Sequence, residues 1–347
     1  MADAVLYGQT GGGEKQICPA FTGNMELHRI SPDRGYALLT SSGVFSWKEG
    51  PNSDIFGMPY KKPSLIDVYV LGGGGGASGT AGALTNYSGD GVGMQIPVKI
   101  SHGAGGGSGY LTIQKKMNAQ QNVTVVIGAG GSAGQHGYML AVYSSYDVHS
   151  TPTAGSDGGQ SSFGEITANG GAGGGISGTL TSGSTFYNPL LTPAPANGGN
   201  GNCGGGPGSW ILAGSSYSNT IATNPNKNCI GGLGGTNGEN ASLATPTENS
   251  GSVGNGSGVS TIFYGLNIFG YGGNGGGVGP TRTAHGLYGF GGDGGILGST
   301  RVASGPSTYY EYYDWKKLSA AGNGGPGLVV VTWGNLTAGD VSDNKGG

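Results

Sequence analysis

Leu65-Ile66-Asp67-Val68-Tyr69-Val70-Leu71 runs without a break into Gly72-Gly73-Gly74-Gly75-Gly76, and that junction decides how the whole chain is read. The first half is a short, nearly continuous apolar run rich in β-branched and aromatic residues, the pattern of a strand covered on both faces. The second half carries no side chains. Whether those glycines are linker or structure sets the fold class.

Similar strand signals recur on either side of the junction. Tyr36–Thr40 and Gly43–Trp47 precede it, separated by turn signals at Ser31-Pro32-Asp33, Gly50-Pro51-Asn52 and Met58-Pro59. Met94–Ile100, Gly109–Ile113, Asn122–Ile127, a weaker Ser161–Thr167 and the strongest of all, Leu328–Trp333, follow it. No segment carries an amphipathic helical period.

Composition argues that the glycines are structural. Glycine supplies 81 of 347 residues, more than three times the roughly 7% of an ordinary globular chain. Glycine at that level favours disorder, because each one loses the most backbone entropy on folding. Yet the chain also holds 18 Tyr, 8 Phe and 4 Trp, an apolar supply that disordered linkers lack. Charged residues are only 10% and the net charge is -3, which argues against binding a phosphate backbone, so nucleic acid is not an expected partner. No stretch approaches the ~18 consecutive apolar residues of a membrane helix, so no membrane insertion is expected. Glycine keeps no strict every-third spacing along the chain, which excludes a collagen triple helix.

The glycine runs also repeat. Phe269-Gly-Tyr-Gly-Gly-Asn-Gly-Gly276 and Tyr288-Gly-Phe-Gly-Gly-Asp-Gly-Gly295 share one grammar, nineteen positions apart, with looser copies at Ala168, Ala196, Gly231 and Ala321. A linker has no reason to keep it. Glycine backbone adopts the extended polyproline-II conformation, with three residues per turn, no internal hydrogen bonds and about 3.1 Å rise per residue. Its amides and carbonyls then point outward and need partners. Several such helices packed together satisfy one another, and aromatic residues at the run ends cap the bundle.

The expected fold is therefore all-β: antiparallel β-sheet or sandwich elements combined with a polyglycine-II helix bundle and long loops, with little or no α-helix. The composition shift divides the chain into a small β or attachment segment (1–64), a glycine-rich β/polyglycine-II domain (65–334) and a C-terminal tail (335–347).

An ordered series of motifs resembles the glycine-rich domain of bacteriophage tail-fibre and adhesin proteins. It runs from Gly43-Val-Phe-Ser-Trp47 and Met58-Pro59 through Ile66–Gly76, Val123–Gly131 and Gly158–Gly164 to Gly322-Asn-Gly-Gly-Pro-Gly-Leu-Val-Val-Val-Thr-Trp333, covering about residues 43–333. The resemblance, which extends to polyglycine-II-containing fibre-tip adhesins, implies attachment to a host surface through loops on a glycine scaffold. The strand-rich first half and long inserts depart from those adhesins. Met1-Ala2-Asp3-Ala4 opens no secretory signal pattern, which fits a virion-surface or extracellular part released by lysis, or a mature chain.

Chemical motifs are sparse. Val123-Thr-Val-Val-Ile-Gly-Ala-Gly-Gly-Ser-Ala-Gly134 matches a dinucleotide fingerprint, but the motif needs a helix next and Gln135–Asp147 offers no helical pattern. Gly8–Lys15 has Glu14 where a phosphate loop needs lysine. Asp293 in Gly291–Leu297 partly matches a calcium-binding turn, and with Asp157 it reads as a solvated turn acid. His28, His102, His136, His149 and His285 show no metal-ligand spacing. No catalytic residue, cofactor site or metal site is expected. Cys18, Cys203 and Cys229 leave a Cys203–Cys229 disulfide or three free thiols open, the latter expected in a reducing cytoplasm.

The candidate binding residues lie in the inserts. Ser307-Thr-Tyr-Tyr-Glu-Tyr-Tyr-Asp-Trp-Lys-Lys317 gathers Tyr309, Tyr310, Tyr312, Tyr313 and Trp315, and Tyr143, Tyr146, Phe186 and Tyr187 form lesser clusters. Tyr and Trp give rigid contact area with a polar edge, as binding loops require. Capping of the bundle or a subunit interface is the structural reading of the same rings. The expectation is a non-enzymatic virion attachment protein whose partner is a host cell-surface protein or glycan, as a monomer or a homotrimer. The alternative is a structural virion component, in a tail, baseplate or head fibre, whose loops contact other virion proteins.

Overall fold

The computed structural model describes residues 17–49, 61–87, 94–101, 103–142, 145–176, 178–181, 190–193, 198–201, 209–213, 221–225, 288–303 and 309–342. They form an all-β protein. Their one helix is the short Ala338–Ser342.

Two five-stranded antiparallel sheets face each other. The first has the order Met25–Ser31, Arg34–Leu39, Leu328–Trp333, Leu65–Leu71, Leu111–Asn118. The second has the order Ile17–Phe21, Gly43–Glu49, Val123–Val126, Ser161–Phe163, Ile166–Ala168. Ala37, Leu39, Ile66, Val68, Val70, Val329, Val331 and Trp333 of the first sheet meet Phe45, Trp47, Val123, Val125 and Phe163 of the second. Trp47 sits edge-on to both Trp333 and Phe45, at 5.5 Å in each case, a geometry that aromatic quadrupoles favour.

The alternate residues of the first sheet are covered too. Tyr36, Leu38, Tyr69, Leu71, Leu328 and Val330 pack with Val341, Leu336 and Tyr288. This is why Leu328–Trp333 and Leu65–Leu71 are apolar at nearly every position instead of alternating.

The division at residue 64 does not describe this molecule. Arg34–Leu39 lies beside Leu328–Trp333, and Gly43–Glu49 beside Val123–Val126, so the segment expected to stand apart supplies strands to both sheets. The composition shift marks where the chain leaves the sandwich, not where a domain begins. Nor is 335–342 a loose tail: Val341 is buried against the first sheet. Two strand bounds also move. Gly109 and Tyr110 belong to a glycine run, with the strand starting at Leu111. Ser161–Thr167 is not one strand but a hairpin of Ser161–Phe163 and Ile166–Ala168, turned at Gly164 with φ of 58°, a conformation that glycine adopts without a Cβ penalty.

Strands of the sandwich continue directly into glycine runs, and the runs make one bundle. Run 72–80 is its axis. Every amide from Gly72 to Gly79 donates to a neighbour, and successive residues turn to different neighbours in a cycle of three. Gly73, Gly76 and Gly79 donate to Gly159, Ser156 and Thr153; Gly74 and Ala77 to Gly325 and Gly322; Gly72, Gly75 and Ser78 to Tyr110, Gly107 and Ala104. The falling partner numbers make those three runs antiparallel to the axis. Its carbonyls accept from three parallel runs: Gly131, Gly134 and Gly137 bond to Gly74, Ala77 and Thr80; Gly171 and Gly174 to Gly73 and Gly76; Gly292 and Gly295 to Gly75 and Ser78. Six runs thus ring the axis, alternating in direction and bonded to each other, as Gly106 to Gly292, Gly158 to Gly171 and Gly324 to Gly131 illustrate. This is the three-residue-per-turn polyglycine-II arrangement. Run 198–201 joins outside the ring, through Ala172 to Asn200 and Gly199 to Gly105.

Close approach explains the glycine. A Cβ on Gly74 would lie 1.8 Å from the carbonyl oxygen of Phe290. Further along the axis the lattice admits small side chains, and Ala77, Ser78 and Thr80 are fully buried. The 269–276 copy of the repeat lies outside the described residues.

Candidate functional site

The axis joins the sandwich at Gly72 and passes at Thr80 into the strand Ala81–Tyr87. Its nine residues span about 28 Å at ~3.1 Å each. At that far end the bundle gives rise to a set of strand pairs, here called the distal arms. Ala81–Tyr87 pairs with Met94–Ser101, and Gly137–Val142 with Ser145–Ser150. Gly137–Val142 runs parallel to Ala81–Tyr87, carrying forward the parallel relation of their parent runs. Ser209–Ala213 and Ile221–Pro225 extend the same sheet, Gly178–Thr181 pairs with Leu190–Pro193, and Ile296–Ala303 pairs with Tyr309–Ser319.

The main candidate cluster lies on these arms. Tyr309, Tyr310, Tyr312 and Tyr313 are in register with Ala303, Val302, Thr300 and Ser299, so their segment is a paired strand and not a loop. Trp315 follows in the irregular part of the same strand. Tyr146 pairs with Ala141 on a separate arm. Tyr143, Phe186, Tyr187, Cys203 and Cys229 lie outside the described residues. Cys18 is a free thiol.

The root of the arms has a defined geometry. His136 stands at the last turn of run 128–137, and its Nδ1 accepts the Thr80 amide at 3.0 Å. The Thr80 hydroxyl lies 2.9 Å from the same nitrogen. Because a backbone amide only donates, Nδ1 is unprotonated and the imidazole proton resides on Nε2. Gly295 packs on the ring, where a Cβ would come within 2.6 Å of Cε1. The Ser150 hydroxyl donates to the His136 carbonyl at 3.1 Å. Burial holds this imidazole below the ordinary histidine range.

Short polar side chains complete the bundle where no neighbouring run does. Asp157 Oδ1 accepts the Gly173 amide at 2.8 Å and Asn323 Oδ1 the Ala133 amide at 2.7 Å. Ser156 and Thr153 hydroxyls accept from Ser132 and Gln135 at 2.7 Å. Each of these side chains replaces the carbonyl of an absent helix, leaving the amide satisfied. Asp157 is thus both an exposed acid and a lattice group, whereas Asp293, expected to be solvated as well, is buried in the bundle.

The nucleotide-like motif resolves in the same terms. Val123–Val126 is followed by run 128–137, not by a helix, and the Gly131 and Gly134 amides donate to Gly74 and Ala77. The groups that would cradle a pyrophosphate already have partners. Among the described residues no group of three His, Cys, Asp or Glu side chains converges as metal ligands. Glu26, His28 and Tyr36 do meet: Glu26 Oε1 is 2.7 Å from His28 Nε2, and the His28 ring stacks on its cross-strand partner Tyr36 at 4.4 Å. Burial and the Glu26 charge hold the Tyr36 phenol above its ordinary value. The trio ties an edge strand to its neighbour. An open cleft of about 340 Å³ lies beside Ser31, Asp33, Arg34, Gly334 and Asn335, with Arg34 engaged by Asp340 at 3.3 Å.

No protein-family model matches the chain, and no curated protein is significantly similar to it.

Proposed function

We propose that this chain is a virion attachment protein, which binds a host cell-surface protein or glycan through aromatic-polar segments on its distal arms. One observation carries the reading. The Tyr309–Ser319 strand and the Tyr146 strand root at the end of the glycine bundle opposite the sandwich. A sandwich at one end and variable arms at the other form a rigid scaffold holding recognition segments away from its base. Tyrosine-rich strands supply large contact area at low conformational cost.

The test is saturable binding of fluorescently labelled protein to intact cells across a panel of bacterial hosts, competed by unlabelled protein. A variant with Tyr309, Tyr310, Tyr312, Tyr313 and Trp315 changed to alanine should lose binding while unfolding at an unchanged temperature. Undiminished binding by that folded variant would remove the arm assignment. A folded wild-type protein that binds no cell of the panel would favour a structural part contacting other virion proteins.

A further inference from the structure

Three arms share one root. Ala81–Tyr87 leaves the axis after Thr80, Gly137–Val142 leaves run 128–137 after His136, and Ile296–Ala303 leaves run 289–295 after Gly295. Thr80, His136 and Gly295 are in mutual contact there: the Thr80 amide bonds to His136 Nδ1, and Gly295 lies against the same ring. Gly137 donates to the Thr80 carbonyl at 2.8 Å and Gly103 to that of Gly295 at 3.1 Å. The imidazole is therefore the side chain that closes the last turn of the lattice before the arms diverge.

We propose that His136 is a pH-sensitive latch, holding the distal arms to the bundle near neutral pH and releasing their roots in acid. The latch depends on one lone pair. Neutral Nδ1 accepts from Thr80, whereas the imidazolium carries protons on both nitrogens and turns a donor toward a donor. The Thr80 amide is held in place from both sides: the Gly79 amide before it donates to Thr153 at 3.3 Å, and the Thr80 carbonyl after it accepts from Gly137 at 2.8 Å. Protonation then costs the amide its acceptor; the Thr80 hydroxyl, 2.9 Å from Nδ1, can take the new proton's bond but does not restore the one the amide loses.

Beyond that hydroxyl, the residues in contact with the ring bring the imidazolium no opposing charge. Thr80 and Gly295, the residues touching the ring, do not titrate. The titratable residues carried by the packed elements are Asp293, two positions before Gly295, Tyr138 on the strand that follows His136, Lys99 on Met94–Ser101, and Asp147 and His149 on Ser145–Ser150. Burial is the cause of the depressed basicity of His136. The sign follows. A depressed folded value means that the neutral form is favoured on folding, so the contribution is complete above the ordinary histidine value and is lost as pH falls through the folded one.

Hydrogen exchange followed by mass spectrometry tests this on the full chain, from about pH 8 to about pH 4 and corrected for intrinsic rates. Peptides spanning 79–87, 136–142 and 295–303 should lose protection at least about tenfold in acid, while sandwich peptides such as 328–333 hold theirs. His136→Asn places a non-titrating acceptor near the position of Nδ1 and should stay protected throughout. His136→Phe removes the acceptor and should show the open roots even near neutral pH. Unchanged protection of the wild-type roots in acid would overturn the proposal. So would an equal acid loss in His136→Asn, which would assign the effect to other groups. The inference stands independently of whether the arms bind a receptor.

Discussion

Replacing Gly74 with alanine tests the bundle at its axis. The new methyl would sit 1.8 Å from the Phe290 carbonyl oxygen, whereas real Cβ atoms essentially never come closer than 3.0 Å. The carbonyl must retreat by more than ~1 Å, a shift that close-packed interiors do not absorb freely. That oxygen also accepts the Gly325 amide at 2.7 Å, and Gly74 itself bonds to Gly325 and Gly131 at 2.8 Å. Overpacking costs about 1–3 kcal/mol, and a buried amide left without its acceptor about 1–3 kcal/mol more. The expected loss is about 2–6 kcal/mol. Gly159→Ala is the control within the same bundle. Its nearest obstruction is the Ala129 backbone nitrogen at 2.9 Å, so the shift it demands is far smaller than at Gly74, and alanine restricts the unfolded chain in partial compensation. Its cost should stay well below that of Gly74→Ala. Equilibrium urea unfolding of both variants gives the two values directly. If Gly74→Ala were within ~1 kcal/mol of wild type, or no worse than Gly159→Ala, contact-limited packing of the axis would be refuted.

Asp157→Ala removes the acceptor of the Gly173 amide. It should cost about 1 kcal/mol, at the low end for a charged acceptor because the site is solvent-accessible. Asp157→Asn keeps a carbonyl oxygen there and should recover most of the loss in a thermal melt, while equal losses for both variants would count against the edge-closing role. Residues 65–347 expressed alone lack the strands that flank Leu328–Trp333 and Val123–Val126. They should show no cooperative urea transition, and a sigmoidal one would contradict the shared core.

Strands that were apolar throughout were legible because burial on both faces leaves no polar position to confuse the period. In Leu328–Trp333, Val329 and Val331 enter one cluster while Leu328 and Val330 enter the other. Glycine runs were legible as structure from their repeated grammar, and Tyr288, at the end of one run, does pack on the sandwich as a cap. Their phase was harder to see. Gly128, Gly131, Gly134 and Gly137 bury every third residue, while Ala129, Ser132 and Gln135 are exposed. Five consecutive glycines at 72–76 hide any such period. The partners of the edge groups were invisible for a different reason. Asn323 meets an amide 190 positions away and His136 one 56 positions away, so each side chain reads locally as an ordinary polar residue beside glycine. The shared core of residues 17–49 was missed because composition reports what a segment contains, not which sheet it enters.

The orientation of the glycine lattice also decides how the molecule carries load. Its hydrogen bonds run crosswise to the axis that links the sandwich to the distal arms. Tension between those two ends therefore does not peel the runs apart one bond at a time. It tries to slide each run past its neighbours, so the bonds along that run must yield together. An individual backbone bond contributes only about 1 kcal/mol net, yet from Gly72 to Gly79 every residue is tied sideways to one of three runs. Polyglycine placed this way works as a strut under shear, stiffest along the direction in which a tip pulls against its base.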